Sequence, residues 1–368
     1  MIERTASQQH PSFERLIDEM RLNGLVPNTS TYLTARPMPL TFRPAPSRKL
    51  NLMALDHYVS QVHLRNFYSP VLGERLYAIR KSDGKTFTPN SESVCRIEGG
   101  STNAYLKEDR LIEEFLKTIE PKYNIVIKRL LEGSIDSECI YVIAGFAAYI
   151  VTSSPAGMRI QAAPIKAMLN STARALDVAR AFPRPPEALG SGSLTELLDS
   201  ETINITVNPK FPQAIGIANI LKMTAMFGNF AWEILRNPFD DSPLFTSDFP
   251  LAIEESNDPR VLNRLFPLTP NLAVRIRPNI SLRRDTCDFT FAHFRFRVRD
   301  IGRQELLALN RLLVQCAEDL VFYRDNRPWV KPFVAKYSRF RIEPLTQEFG
   351  NPSSTLLLSR QRIVECAR

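Results

Sequence analysis

With 368 residues, 44% hydrophobic, 23% charged and 9% aromatic, the chain is long enough to bury a sizeable core and too apolar to be disordered. Forty-seven basic residues against 39 acidic ones leave a net charge of +8, which favours polyanionic partners without demanding one. The five cysteines, Cys95, Cys139, Cys287, Cys316 and Cys366, are odd in number and never paired at metal spacing. That argues against a disulfide framework or a zinc finger and for a reducing cytoplasm.

Charges begin at Glu3 and no apolar stretch of the signal-peptide kind follows. Ser12 caps a first predicted helix with the stripe Phe13, Leu16, Ile17 and Met20, stopped by Gly24. Five prolines between 26 and 49 then predict an extended arm, so that 1–51 is set apart from the body. A helix is predicted over 54–68, followed by a strand pair, RLYAI and KTFTP, turned at Asp83-Gly84. Helical spacing dominates at 109–131, 136–152 and 160–180, and FPRPPEALGSGS from 182 to 193 reads as a linker. A helix over 213–236 follows. Short strands are predicted at 244–253, 273–276 and 288–298, a long amphipathic helix over 303–320, a last strand near 334–342, and a tail over 346–368. The longest apolar run, Cys139 to Val151, falls short of the ~20 residues of a spanning helix and reads as a buried core helix, with no membrane partner. The expected class is α+β: a helical part, 52–236, and a small, mostly antiparallel sheet drawn largely from the C-terminal half, 240–345, within one domain.

On a helix over 54–68, His57, Gln61 and Arg65 fall at i, i+4 and i+8 within one ~80° stripe. Imidazole, amide and guanidinium in a row suit a phosphate or carboxylate, and a plain polar helix face uses the same residues. His63 lies off that stripe and reads as surface or core packing. Glu113 and Glu120 share a helix face and supply the two carboxylates that a hard cation or acid–base chemistry needs. Lys117, four residues from Glu113, equally writes an ordinary ion-pair face. Asp248 stands among Phe245, Phe249 and Leu251, where a carboxylate has to be paired, coordinated or turned to water. Residues 260–300 hold nine arginines, no lysine and three aspartates. Arg295, Arg297 and Arg299 alternate there with Phe294, Phe296 and Val298, a pattern that suits nucleic-acid binding or a solvated sheet face. Neither a Gly-x-Ser-x-Gly elbow nor a P-loop is present, and no GxGxxG follows a strand.

Taken in order, HYVSQVHLRNF (His57 to Phe67), the KSDGK hairpin, IEEFLKTIE, WEILRN, FTSDFPLAI, LTPNLAVRI and LNRLLVQCAEDLVFY resemble the family of domains of unknown function numbered 4238. On that pattern His57, Gln61, Arg65, Glu113, Glu120, Ser247, Asp248 and Pro250 match family positions. Ser153-Ser154-Pro155 stands where members often carry an Arg-Thr-Pro-like segment. Some members resemble, by genomic company, single-protein bacterial anti-phage defence factors, which implies an effector acting on nucleic acid or another phage component. Two expectations follow. In the first, His57, Gln61, Arg65, Glu113, Glu120 and Asp248 line one pocket that cuts a phosphodiester. His57 is then general acid or base, Arg65 the phosphate clamp, and Glu113, Glu120 and Asp248 the ligands of a Mg²⁺ ion. Asp248 should face the His57–Gln61–Arg65 stripe. In the second, a non-catalytic sensor, those groups hold the core while Arg295, Arg297 and Arg299 bind nucleic acid or a phage protein.

Overall fold

The computed structural model describes residues 54–181, 192–351 and 354–366. The helix predicted at 12–24, the proline-rich arm and nearly all of the 182–193 linker lie outside them. The chain enters on β1 (Leu55–His57), turns into the five-residue helix α1 (Gln61–Arg65), and continues through β2 (Tyr77–Arg80), β3 (Thr86–Phe87) and β4 (Arg96–Glu98). The helix predicted over 54–68 is therefore a strand followed by little more than one helical turn. Pairing explains the difference: β1 lies antiparallel to β4, with His57 opposite Arg96, and that ladder outweighs a helical spacing of polar groups. The β2–β3 hairpin turns where expected, with Gly84 at φ 69°, a conformation that a side chain would strain.

The predicted helix over 109–131 is two, α2 (Leu111–Ile119) and α3 (Tyr123–Glu132), joined by a 3₁₀ turn over Glu120–Lys122. Pro121 forces the break, because it has no N–H to donate to the preceding turn. Next comes α4 (Ser137–Ser153), capped by the Asp136 carboxylate, which accepts from the Cys139 amide. Every residue of α4 but Glu138 and Val151 is buried, as its all-round apolar composition requires. Gly145 lets α2 approach, since a Cβ there would sit 3.2 Å from both Ile119 and Phe115. Ser153-Ser154-Pro155 is a helix boundary: Ser154 caps α5 (Pro155–Val178) and Pro155 takes its first position.

After α6 (Leu194–Asp199), α7 (Lys210–Ala218) and α8 (Ile220–Gly228), the segment predicted as the end of a helix is a strand, β5 (Ala231–Arg236). Five strands make the main sheet, β5 with β7 (Ala252–Glu255), β8 (Leu262–Thr269), β9 (Leu272–Arg277) and β10 (Arg295–Asp300), in the order β10-β5-β9-β8-β7. Only the β10–β5 pair is parallel. A second, antiparallel sheet has the order β3-β2-β11-β6, from β6 (Thr246–Ser247) and β11 (Leu320–Tyr323), the latter following α9 (Arg303–Cys316). Beyond it α10 (Val330–Tyr337) occupies the first half of the last predicted strand. Where a tail was expected, β12 (Phe340–Asn351) and β13 (Ser354–Glu365) form a two-stranded ribbon. The architecture is α+β, with a hydrophobic core continuous from Val59 to Ile342 that joins α4 to the main sheet. Among the described residues no single helix is long and apolar enough to cross a membrane.

Candidate functional site

His57 ends β1, so its ring emerges beside the loop before β4. Its Nε2 lies 3.2 Å from the Ser91 carbonyl oxygen, which can only accept, so this nitrogen carries the proton. Burial, aided by nearby Arg96, pushes the imidazole below its ordinary value. Gln61 and Arg65 are the first and last residues of α1, one turn apart, and Arg65 donates to the Gln61 amide oxygen at 2.9 Å. That oxygen also accepts from Ser91 Oγ at 3.3 Å, and Ser91 Oγ in turn accepts from the Tyr68 hydroxyl at 2.7 Å. His57 and Gln61 do meet, then, at Ser91, with Arg65 joined through Gln61, from a strand and a short helix rather than one stripe.

Behind them stands Tyr149 of α4, whose hydroxyl donates to the His57 carbonyl at 2.5 Å. Its phenol is pushed upward by burial and by the charges of Glu120, Glu113 and Asp56. The carboxyl of Glu120 is raised by burial and by its neighbour Glu113, against a pull down from the Ser60 hydroxyl. Asp56, buried, accepts from the Ser101 amide at 3.0 Å and from Arg110 at 3.2 Å, and Arg110 reaches Glu113 at 3.5 Å. Lys117, the competing partner, pairs with Glu114 instead. Five of the six predicted catalytic residues are thus linked through neighbours around β1, α1 and α2: His57, Gln61 and Arg65 by hydrogen bonds, and Glu113 and Glu120 through their charges on Tyr149.

Asp248 does not bond to this group. Buried as expected, it accepts at 2.8–2.9 Å from the backbone amides of Glu318, Asp319 and Leu320. Burial raises its carboxyl to about 6 against the pull of those amides and of Lys81. Its partners are not His57 or Arg65, because β6 is held against β11 and delivers the side chain to the loop before that strand. The three expected metal ligands therefore do not converge, and among the described residues no group of three or more His, Cys, Asp or Glu is placed to hold an ion. His63 is core: its two nitrogens meet the Tyr123 and Thr246 hydroxyls.

The arginine strand is also changed by its surroundings. Arg297 and Arg299 turn onto Glu233 of β5, and Arg299 onto Glu305 as well, so two of the three expected nucleic-acid contacts are already engaged by carboxylates. Burial alone would raise Glu233, but Arg275 and Arg297 hold it down to about 2.

The model of the family described as "Protein of unknown function (DUF4238)" matches residues 56–327. The chain belongs to that family. No curated protein and no solved structure matches it. The DUF4238 match runs from Asp56 in β1 through α4 and the main sheet, and leaves out the β12–β13 ribbon. Sequence reasoning missed four residues bonded around these side chains, Asp56, Arg110, Ser91 and Tyr149. Asp56 and Arg110 were hidden because their pairing crosses 54 residues. Ser91 lies in a loop without periodicity, and Tyr149 sits in an apolar run where a phenol reads as core.

Proposed function

We propose that the chain is an effector enzyme that hydrolyses phosphodiesters at the cleft of β1, α1 and α2, in the setting of bacterial anti-phage defence. The meeting of His57 and Gln61 at Ser91, with Arg65 bonded to Gln61 and with Glu120 held by Ser60 next to Glu113, carries this reading. In it the neutral His57 ring, protonated at Nε2, takes a proton from the attacking water at Nδ1. A new P–O bond forms as the ester P–O bond breaks, and Glu120, whose proton is favoured by burial and by Glu113, passes it to the leaving oxygen. Arg65 is exposed and steadies the phosphoryl oxygens. A divalent cation at this cleft would rest on Glu113 and Glu120 and otherwise on water and substrate oxygens. The defence setting draws on the family resemblance.

Purified protein incubated with DNA and with RNA, with and without Mg²⁺ and across pH, tests the proposal. His57 has to be neutral and Glu120 protonated, and their shifts run toward each other from 6.5 and 4.5. Cleavage should therefore peak in that mildly acidic window, and His57→Ala and Glu120→Gln should each slow it by about 100-fold. A rate that climbs steadily to alkaline pH and disappears with a chelator replaces this acid–base scheme with a metal-assisted one. No cleavage under any condition leaves a binding module as the reading, which the structural bonding of Asp248 favours over an enzyme that needs it.

A further inference from the structure

The main sheet carries side chains that the cleft does not use. Because β5 lies between β10 and β9, the register sets Arg295, Ala231 and Arg277 in one cross-strand row. Two residues along, Arg297, Glu233 and Arg275 form the next row, on the same face. The Glu233 side chain, 3% exposed, accepts from Arg275 at 2.6 Å, Arg277 at 2.8 Å and Arg299 at 3.4 Å, and from Arg297. Arg275 also pairs with Glu254 and Glu305, and Arg299 with Glu305.

Five arginines thus face three carboxylates, and the surplus positive charge lies at the first row. There Arg277 shares a single oxygen of Glu233 with Arg297 of the next row, while Arg295, among the described residues, bonds the carbonyls of Ala292 and Phe294 alone. The side chains of Arg277 and Arg297 are 50% and 41% exposed, and exposed Ala231 between the strands is too small to fill the gap. We infer that Arg277, Arg295 and Arg297 form a phosphate-binding site over Ala231, with buried Glu233 holding two of the guanidinium forks in place. A fork tethered through one N–H keeps others for a second anion. A phosphate offers more oxygens than a carboxylate to three forks, and its charge of about −2 matches the surplus. Arg299, taken by Glu305 and Glu233, is not a member, and Arg277 of β9 replaces it.

The ligand is a phosphate group, from a nucleic-acid backbone or from a small phosphate compound, and two probes separate these sources. The full chain is titrated at low salt with pyrophosphate by calorimetry and with a labelled oligonucleotide, single-stranded and duplex, by fluorescence anisotropy. Arg277→Gln and Arg295→Gln should each weaken binding by about 10-fold, and each should flatten the salt dependence by about one unit of log–log slope for nucleic acid. Ala231→Glu, which sets a carboxylate in the gap, should abolish binding. Arg236→Gln, on the opposite face and paired with Asp300, should leave it unchanged. Pyrophosphate binding without oligonucleotide binding assigns a small phosphate compound; oligonucleotide binding that pyrophosphate displaces assigns a backbone. If neither probe binds at low salt, or if the three first-row variants bind as the wild type does, the site does not exist. His57 lies outside these rows, so loss of cleavage in His57→Ala bears on the cleft alone.

Discussion

His63 is bonded at both ring nitrogens, Nδ1 to the Tyr123 hydroxyl and Nε2 to the Thr246 hydroxyl, each at 2.8 Å, and its ring stacks on Phe266 at 5.5 Å. Burial lowers its pKa to about 3. Between that value and the 6.5 of an unfolded histidine, the unfolded chain binds one proton more than the folded one. The contribution is therefore complete above about pH 6.5 and falls by about 1.4 kcal/mol per unit as pH drops toward 3. Asp248 runs the other way, since a folded pKa raised to about 6 means stability present at low pH and lost as pH rises through 6. Comparing His63→Leu with the wild type isolates the first effect. The variant leaves two buried hydroxyls unbonded and should cost about 2–5 kcal/mol at pH 8. At pH 5 the gap should shrink by about 2 kcal/mol, because the wild type has lost that much. Urea melts at the two pH values read the difference directly, and a gap that does not change with pH rules the account out.

At the scale of elements, the β12–β13 ribbon depends on a few polar anchors. Lys81, buried at the end of β2, donates to the carbonyls of Ala317 at 2.5 Å and Phe340 at 2.7 Å. Arg159 of α5 reaches Glu318 with two bonds, at 2.9 and 2.8 Å, and Glu343 and the Ile342 carbonyl of β12, each at 2.9 Å. A lone two-stranded ribbon is marginal in water, so these contacts and the burial of Ile342 hold it to the body. Arg159→Met keeps the aliphatic stem and removes the fork. Its expected cost is about 2–4 kcal/mol, felt locally. Amides of the ribbon should then exchange at least 30-fold faster, while those of α4 keep their protection. Equal acceleration in both would mean that the ribbon is not a separately opening unit.

For the molecule as a whole, Phe146 is the joint. It lies in the middle of α4, packs on Tyr123 at 4.7 Å and stacks on Phe266 of β8 at 5.5 Å. Through it the helical part and the main sheet share one core rather than two. Phe146→Ala should cost about 3–5 kcal/mol. Both parts should melt earlier and together, so far-ultraviolet and near-ultraviolet circular dichroism should give coincident transitions at a lower midpoint. Two separated transitions would show that the sheet and the helices fold independently.

The sequence by itself determined those features whose cause is local. Gly84 marks a turn that only a residue without Cβ adopts freely, Asp136 and Ser154 cap their helices, and the apolar run of α4 has no face that water would accept. The α+β class follows from such signals. Tertiary structure decided what rests on contacts between distant segments. WEILR carries five large apolar or long side chains that a helix and a central strand accommodate equally, and pairing with β9 and β10 made it a strand. The same pairing set Glu233 among arginines that looked free for nucleic acid. Asp248 needed donors from somewhere, and burial among aromatics predicts that need without naming the partner. Its amides come from residues 318–320, some seventy positions away, and only the folded chain brings them within 3 Å.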